Sequence, residues 1–288
     1  MGATRASDPA HAEDGAYGFR IHGIAARRLL GPASPEAPRL EVACAVGRTT
    51  APVWSLTLEQ AEMPLQGGGH LVVLRKPLRA TYVVPQPIDD EALVHPYLVP
   101  AAAVAAHWNG WNPFHAGGVV LSDGVWAVVG GRSSGKSSLL ASLALAGVPV
   151  VCDDLLVVAG DKVQPGPRCV DLRADAAERI GAGERLGAVG GRERWRLTLP
   201  ALPQQEALTL SGWIFLEWGS DLGLEAVAAP DRLTRVVSQR TIRIAAPDQR
   251  QLFALLDRPS WILRRPPDWS AVEASLALLD RLTSSAGG

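Results

Sequence analysis

Cysteine, lysine and excess charge are all in short supply in this chain, and each shortage closes a line of explanation. Its 288 residues carry 28 basic and 29 acidic groups, a formal net charge of −1, which removes the electrostatic case for nucleic acid or an anionic membrane surface as partner. Cys44, Cys152 and Cys169 form an odd, scattered set, unsuited to a disulfide framework or a thiolate zinc site. No apolar run reaches the roughly 20 residues of a membrane span. The longest, around 94–106, is broken by Pro96 and Pro100. Residues 1–20 hold no apolar stretch of the kind a secretory signal requires. A cytoplasmic protein is expected. Only Lys76, Lys136 and Lys162 are lysines, and the other 25 basic residues are arginines.

What is present is ample apolar material. Hydrophobic residues make up 47% of the chain, charged residues 20%, and there are nine tryptophans, enough for a large core and against wholesale disorder. The length fits more than one minimal domain and fewer than three.

Residues 1–16 are small and polar and read as a frayed end. From 17 to 99, short apolar runs at 40–46, 53–58, 70–74 and 81–84 are separated by turn formers such as Gly67-Gly68-Gly69 and Pro85-Gln86-Pro87. That spacing predicts a small β-rich domain, with a structural or docking role. A boundary follows over 100–113, a short Ala-rich helix and then the loop His107-Trp108-Asn109-Gly110-Trp111-Asn112-Pro113. The expected division is 1–104 and 105–288.

Beyond it the pattern alternates. Runs at 119–121 and 125–129 flank Ser122-Asp123-Gly124, a hairpin signal. A glycine- and serine-rich loop follows over 130–138, then a helix over 139–146 closed by Gly147 and Pro149. Strands are expected at 148–152, 155–159, 195–199 and 208–216, and helices at 247–256 and 269–282. The last begins with the capping-box spacing Ser270 to Glu273 and sets Val272, Leu276, Leu279 and Leu282 on one face. The fold class is α/β.

The loop Gly130-Gly131-Arg132-Ser133-Ser134-Gly135-Lys136-Ser137 fits GxxxxGK[ST]. Its glycines let successive amides turn inward as an anion nest at a helix start. Lys136 sets a point charge on the β- and γ-phosphates, and the Ser137 hydroxyl is a ligand for Mg²⁺. A strand before the loop and a helix after it are the context this motif requires. Gly130, Gly131, Arg132, Ser133, Ser134, Gly135, Lys136, Ser137 and Ser138 are the candidate nucleotide contacts.

Asp153 and Asp154 follow an apolar run that ends at Cys152. Adjacent carboxylates at a strand end commonly serve turns or caps. Beside a phosphate loop, one can serve a divalent cation and the other accept a proton from an attacking hydroxyl. Alternation along a strand also allows one of them to point away. His115, just before the hairpin, reads either as a turn histidine or as a polar group near the transferred phosphate.

The order His115-Ala116-Gly117, hairpin, phosphate loop, helix, Gly147, Cys152-Asp153-Asp154 resembles the catalytic domain of bacterial HPr kinase/phosphorylase. It is similar above all to the HPr-kinase-like proteins of ribosomal peptide pathways, lasso-peptide kinases among them. The match spans residues 115–159. The resemblance implies a kinase domain with a mixed sheet and helices, preceded here by the β-rich part. It implies transfer of phosphate from ATP, with Mg²⁺, to a serine hydroxyl on a peptide or protein. Lys136 and Ser137 would hold the phosphates and metal, Asp153 would be the general base, Asp154 would assist the metal, and His115 would lie near the reacting phosphate. The family includes ring assemblies, so a homo-oligomer stays open.

Two departures narrow this. Ser138 stands where the bifunctional enzymes carry an acidic residue, and their second glycine-rich signature is missing. Both argue against phosphorylase activity and against HPr as acceptor. The segment Gly166-Pro167-Arg168-Cys169-Val170-Asp171-Leu172-Arg173 is closer to the peptide-pathway relatives. In it Arg168 or Arg173 either meets phosphate or forms a surface salt bridge. A switch GTPase is disfavoured by the absence of an Asn-Lys dipeptide. An ABC-type ATPase is disfavoured by the lack of its signature. A kinase for a small hydroxyl compound and a nucleotide-binding scaffold without transfer activity remain as rivals.

Overall fold

The computed structural model describes residues 14–47, 53–121, 124–202, 208–246 and 248–284, with side chains to 279. Four sheets and the helices between them make a mixed α/β structure.

The first sheet is built by residues 14–84. Its eight strands run in the order Gly31–Pro32, Asp14–Ala16, Phe19–His22, Arg39–Val46, Arg79–Val84, His70–Leu74, Gln60–Pro64, Ser55–Leu56. Alternation decides its inner face: Leu71 and Val73 of one strand and Ala80 and Tyr82 of the next are all at 0% exposure, as the two-residue period of a half-buried strand requires. The expected strand at 53–58 is shorter, Ser55–Leu56. The frayed end is corrected at 14–16, where Asp14–Ala16 pairs with strands on both sides; residues 1–13 lie outside the described residues. Three glycines at positive φ, Gly67 to Gly69, make the expected turn between Gln60–Pro64 and His70–Leu74.

The Ala-rich helix is longer than its sequence suggested. It spans Leu98–Trp108 and buries every residue from Ala101 to Trp108, so His107 and Trp108 are helical rather than part of a loop. Pro100 sits in the first turn, where its missing N–H costs nothing. The apolar cluster under the first sheet takes in this helix as well as Leu155, Val157 and Cys169 from further along the chain. Position 104 thus falls inside a helix.

The second sheet has six strands in the order Val150–Cys152, Gly117–Leu121, Gly124–Val129, Leu210–Trp218, Ser260–Arg265, Gly223–Ala226. The central three are mutually parallel, so their carboxyl ends open on one side, where open α/β sheets bind ligands. The hairpin joining 117–121 to 124–129 is present, although Ser122 and Asp123 lie outside the described residues. Helix Lys136–Leu145 follows the loop and ends at Gly147, φ +87°. Two three-stranded antiparallel sheets complete the set, one of them Cys169–Leu172, Arg192–Thr198 and Glu184–Val189.

Near the C-terminus the helices are Gln249–Leu256 and Ser270–Ser284; Pro247 lies outside the described residues. The capping box is corrected. Ser270 is already helical, and Asp268 accepts from its backbone N–H at 2.9 Å. That bond lowers the Asp268 pKa and satisfies an end donor the helix cannot satisfy itself. Val272 and Leu279 are buried as expected, while the side chain of Leu282 is outside the described residues. No helix among the described residues is long and apolar enough to cross a membrane.

Candidate active site

The loop over 130–137 links the end of Gly124–Val129 to the start of Lys136–Leu145. Its geometry follows from its residues. A Cβ on Gly130 would stand 2.1 Å from Ser134 Oγ, so only glycine allows the loop to fold back here. Gly135, at φ +77°, is the N-cap of the helix and offers no side chain to its first-turn amides. Ser133 also takes a positive φ of 68°, which costs a non-glycine residue energy and is found where a site fixes it. Ser134 Oγ is buried without a hydrogen-bond partner. A loop with free helix-start amides and an orphaned inward hydroxyl fits an anion with several oxygens.

A cavity of about 590 Å³ lies over the loop, and residues 130–138 line it together with His115, Asp154, Asp171 and Arg173. Lys136 is buried at its floor. Its Nζ donates to Asp153 Oδ1 at 2.6 Å and Asp154 Oδ1 at 3.0 Å. Burial alone would depress the lysine's pKa, but the two carboxylates outweigh it and hold the group above its ordinary value. The opposite balance operates at Asp154: burial would raise it, and Lys136 and His95 pull it well below the usual carboxylate range.

The two aspartates are placed differently. Asp153 is buried beneath the loop and fully used: Oδ2 accepts from Ser137 Oγ at 3.0 Å, and Oδ1 from the Asp154 amide at 2.9 Å as well as from Lys136. Asp154, at φ +40°, is turned onto the cavity wall with a quarter of its side chain exposed. His115 is exposed on the same wall, its Nδ1 3.0 Å from the Asp154 carbonyl oxygen, a bond that assigns the proton to Nδ1.

The site residues read from the sequence are therefore brought together. Of the two arginines of the 166–173 segment, one joins them and one does not. Arg173 lines the cavity and donates to Ser133 Oγ at 3.0 Å. Arg168 turns away and donates to the Arg28 carbonyl at 2.7 Å.

Two residues were not foreseen. His95, from the turn before the long helix, is 2% exposed, and its Nε2 has no hydrogen-bond partner and stands 3.8 Å from Asp154 and from Asp171. Nothing local in its sequence marks it, since Asp154 lies far along the chain. Arg265, one arginine among 25, also lines the cavity.

For a metal, the donors fall in two groups. Ser137 Oγ and Asp153 Oδ2, 3.0 Å apart, are spaced as neighbouring oxygens about a cation with bonds of about 2.1 Å, the length Mg²⁺ prefers. His95, Asp153 and Asp154 also place ligand atoms within 4.8 Å of one another, but an imidazole nitrogen is a poor ligand for that hard ion.

No protein-family model and no curated protein matches this chain. Among solved structures, the chain is similar to the HPr(Ser) kinase/phosphatase from Coxiella burnetii. The likeness has 12% sequence identity and a TM-score of 0.33, and it covers 61% of this chain and 99% of that one. It is too loose to place a residue.

Proposed function

We propose that this protein is a Mg²⁺- and ATP-dependent kinase that phosphorylates a serine hydroxyl on a peptide or protein. The observation that carries the reading is the floor of the cavity. There the loop lysine and a carboxylate open to the cavity lie 3.0 Å apart, with the phosphate cradle beside them. Phosphoryl transfer needs positioning, charge neutralisation and a base within hydrogen-bond reach, and these groups supply all three.

In this reading the loop amides other than that of Ser134, which donates to the Gly131 carbonyl at 3.0 Å, bind the phosphate chain with the Ser134 hydroxyl. Lys136 leaves its ion pair with Asp154 for the β- and γ-phosphates, which returns basicity to that carboxylate when substrate is in place. Ser137 and Asp153 hold the metal, which when bound neutralises charge on the phosphates. Asp154 accepts the proton of the serine hydroxyl as its oxygen attacks the γ-phosphorus. The bond to the bridging oxygen breaks, and ADP leaves. His115 keeps Asp154 in its left-handed conformation. The roles of the two aspartates are thus exchanged relative to those the family resemblance implies. Burial supports the exchange: Asp153 is enclosed by Ser137 and Lys136, whereas Asp154 faces the cavity where an acceptor would enter.

The test is intact-mass spectrometry after incubation with Mg·ATP and a ribosomal precursor peptide, with HPr and free serine in parallel. The expected result is a gain of about 80 Da, one HPO₃, on the peptide. It should be lost in Lys136→Ala and in Asp154→Asn, with ATP binding retained in the latter. Wild-type transfer by Asp154→Asn would overturn the base assignment. Transfer to free serine but not to the peptide would make the protein a small-molecule kinase. No transfer to any acceptor, with ATP still bound, would favour a nucleotide-binding scaffold.

A further inference from the structure

Arg265 ends the strand Ser260–Arg265, opposite Trp218 in the parallel register, and so stands at the carboxyl edge where the loop opens. The residue is 2% exposed, and its guanidinium lies 4.8 Å from the centre of the Trp218 ring. One nitrogen donates to the carbonyl of Ser134 within the loop at 2.7 Å. The same nitrogen packs so close to the loop that a Cβ on Gly135 would come within 2.5 Å of it. Nε finds no acceptor. Among the described residues no carboxylate reaches ion-pair distance. Burial without a counter-charge pulls the group down to about 10, and an ionised group held this way is costly unless an anion joins it.

Burial does not by itself single out this residue. Arg240 is also buried, with Nε and one terminal nitrogen unpartnered. Arg240, however, lies away from the cavity, whereas Arg265 lines it beside Gly135 and Lys136. From these placements we propose that Arg265 is a phosphate-binding residue of the nucleotide site, whose counter-charge is the polyphosphate itself. The inference rests on the nucleotide reading above and adds a residue outside the loop motif. The planar fork offers phosphate oxygens several donors at once, and Trp218 fixes its plane.

The experiment measures thermal unfolding of the full chain, and calorimetric binding of Mg·ATP and of inorganic tripolyphosphate, for wild type, Arg265→Met, Arg265→Lys and Arg240→Gln. Met fills the volume of the stem and removes the charge. The expected result is an Arg265→Met protein no less thermostable than wild type without ligand, yet weakened about tenfold or more for both anions. Arg265→Lys should fall between the two, and Arg240→Gln should bind as wild type does. A lower Tm for the unliganded Arg265→Met protein, or its failure to fold, would make Arg265 a scaffold for the loop and overturn the proposal. So would wild-type affinity in that variant. A wild-type protein that binds neither anion would instead refute the nucleotide reading, and this inference with it.

Discussion

Two arginines of this protein are equally buried, at 2% exposure, and oppositely treated. Arg196 ties the strand Arg192–Thr198 to the 91–95 segment. It grips Asp171 with Nε at 2.9 Å and a terminal nitrogen at 3.1 Å, then donates to the carbonyls of His95 at 2.6 Å and Glu91 at 3.1 Å. Burial would lower its pKa, but the Asp171 hydrogen bonds outweigh it and raise the group. Arg265 has one carbonyl, an indole face and, among the described residues, no carboxylate partner. A satisfied buried ion ties structure together, whereas an unsatisfied one on a cavity wall is a cost that a ligand can relieve. The contrast separates a part of the molecule that holds its shape from the part that, in the proposed reading, receives the nucleotide.

Breaking the satisfied site should have the largest effect. Arg196→Met leaves Asp171 with Arg194, 3.2 Å away, and the more distant His95 ring at 3.8 Å, and strands two carbonyls from the 91–95 segment. Denaturant unfolding should register a loss of about 3–5 kcal/mol. A loss under about 1 kcal/mol in the single variant would mean that the pair does not tie down the 91–95 segment.

A smaller effect sharpens the comparison within the loop itself. Gly130→Ala forces its methyl against Ser134 and should cost about 1–3 kcal/mol while weakening ATP binding. Gly131→Ala meets nothing within 4 Å and should stay within about 0.5 kcal/mol of wild type. Equal effects from the two substitutions in unfolding and binding assays would contradict the loop geometry.

The site was more legible in the sequence than the fold around it, for a physical reason. Strand, loop, helix and aspartate pair are contiguous, and each obeys a local rule, so spacing marked Lys136 and the aspartate pair, while His115 was set beside them only by what the family resemblance implies. The strand Gln60–Pro64 went unread because Ala, Glu and Pro are poor strand formers and only Ala61 and Met63 supply its buried face. The helix Leu98–Trp108 is buried on all sides, so no amphipathic period marked its extent. His95 and Arg265 could not be found at all. Their roles come from tertiary placement, and no neighbour in sequence distinguishes either of them.

The most direct test of the account is calorimetric titration of Mg·ATP into the wild-type protein and into Lys136→Ala. The account predicts one site per chain in the wild type, weakened at least tenfold by loss of the phosphate-binding cation. An absent binding isotherm in the wild type, or an unchanged one in Lys136→Ala, would contradict it.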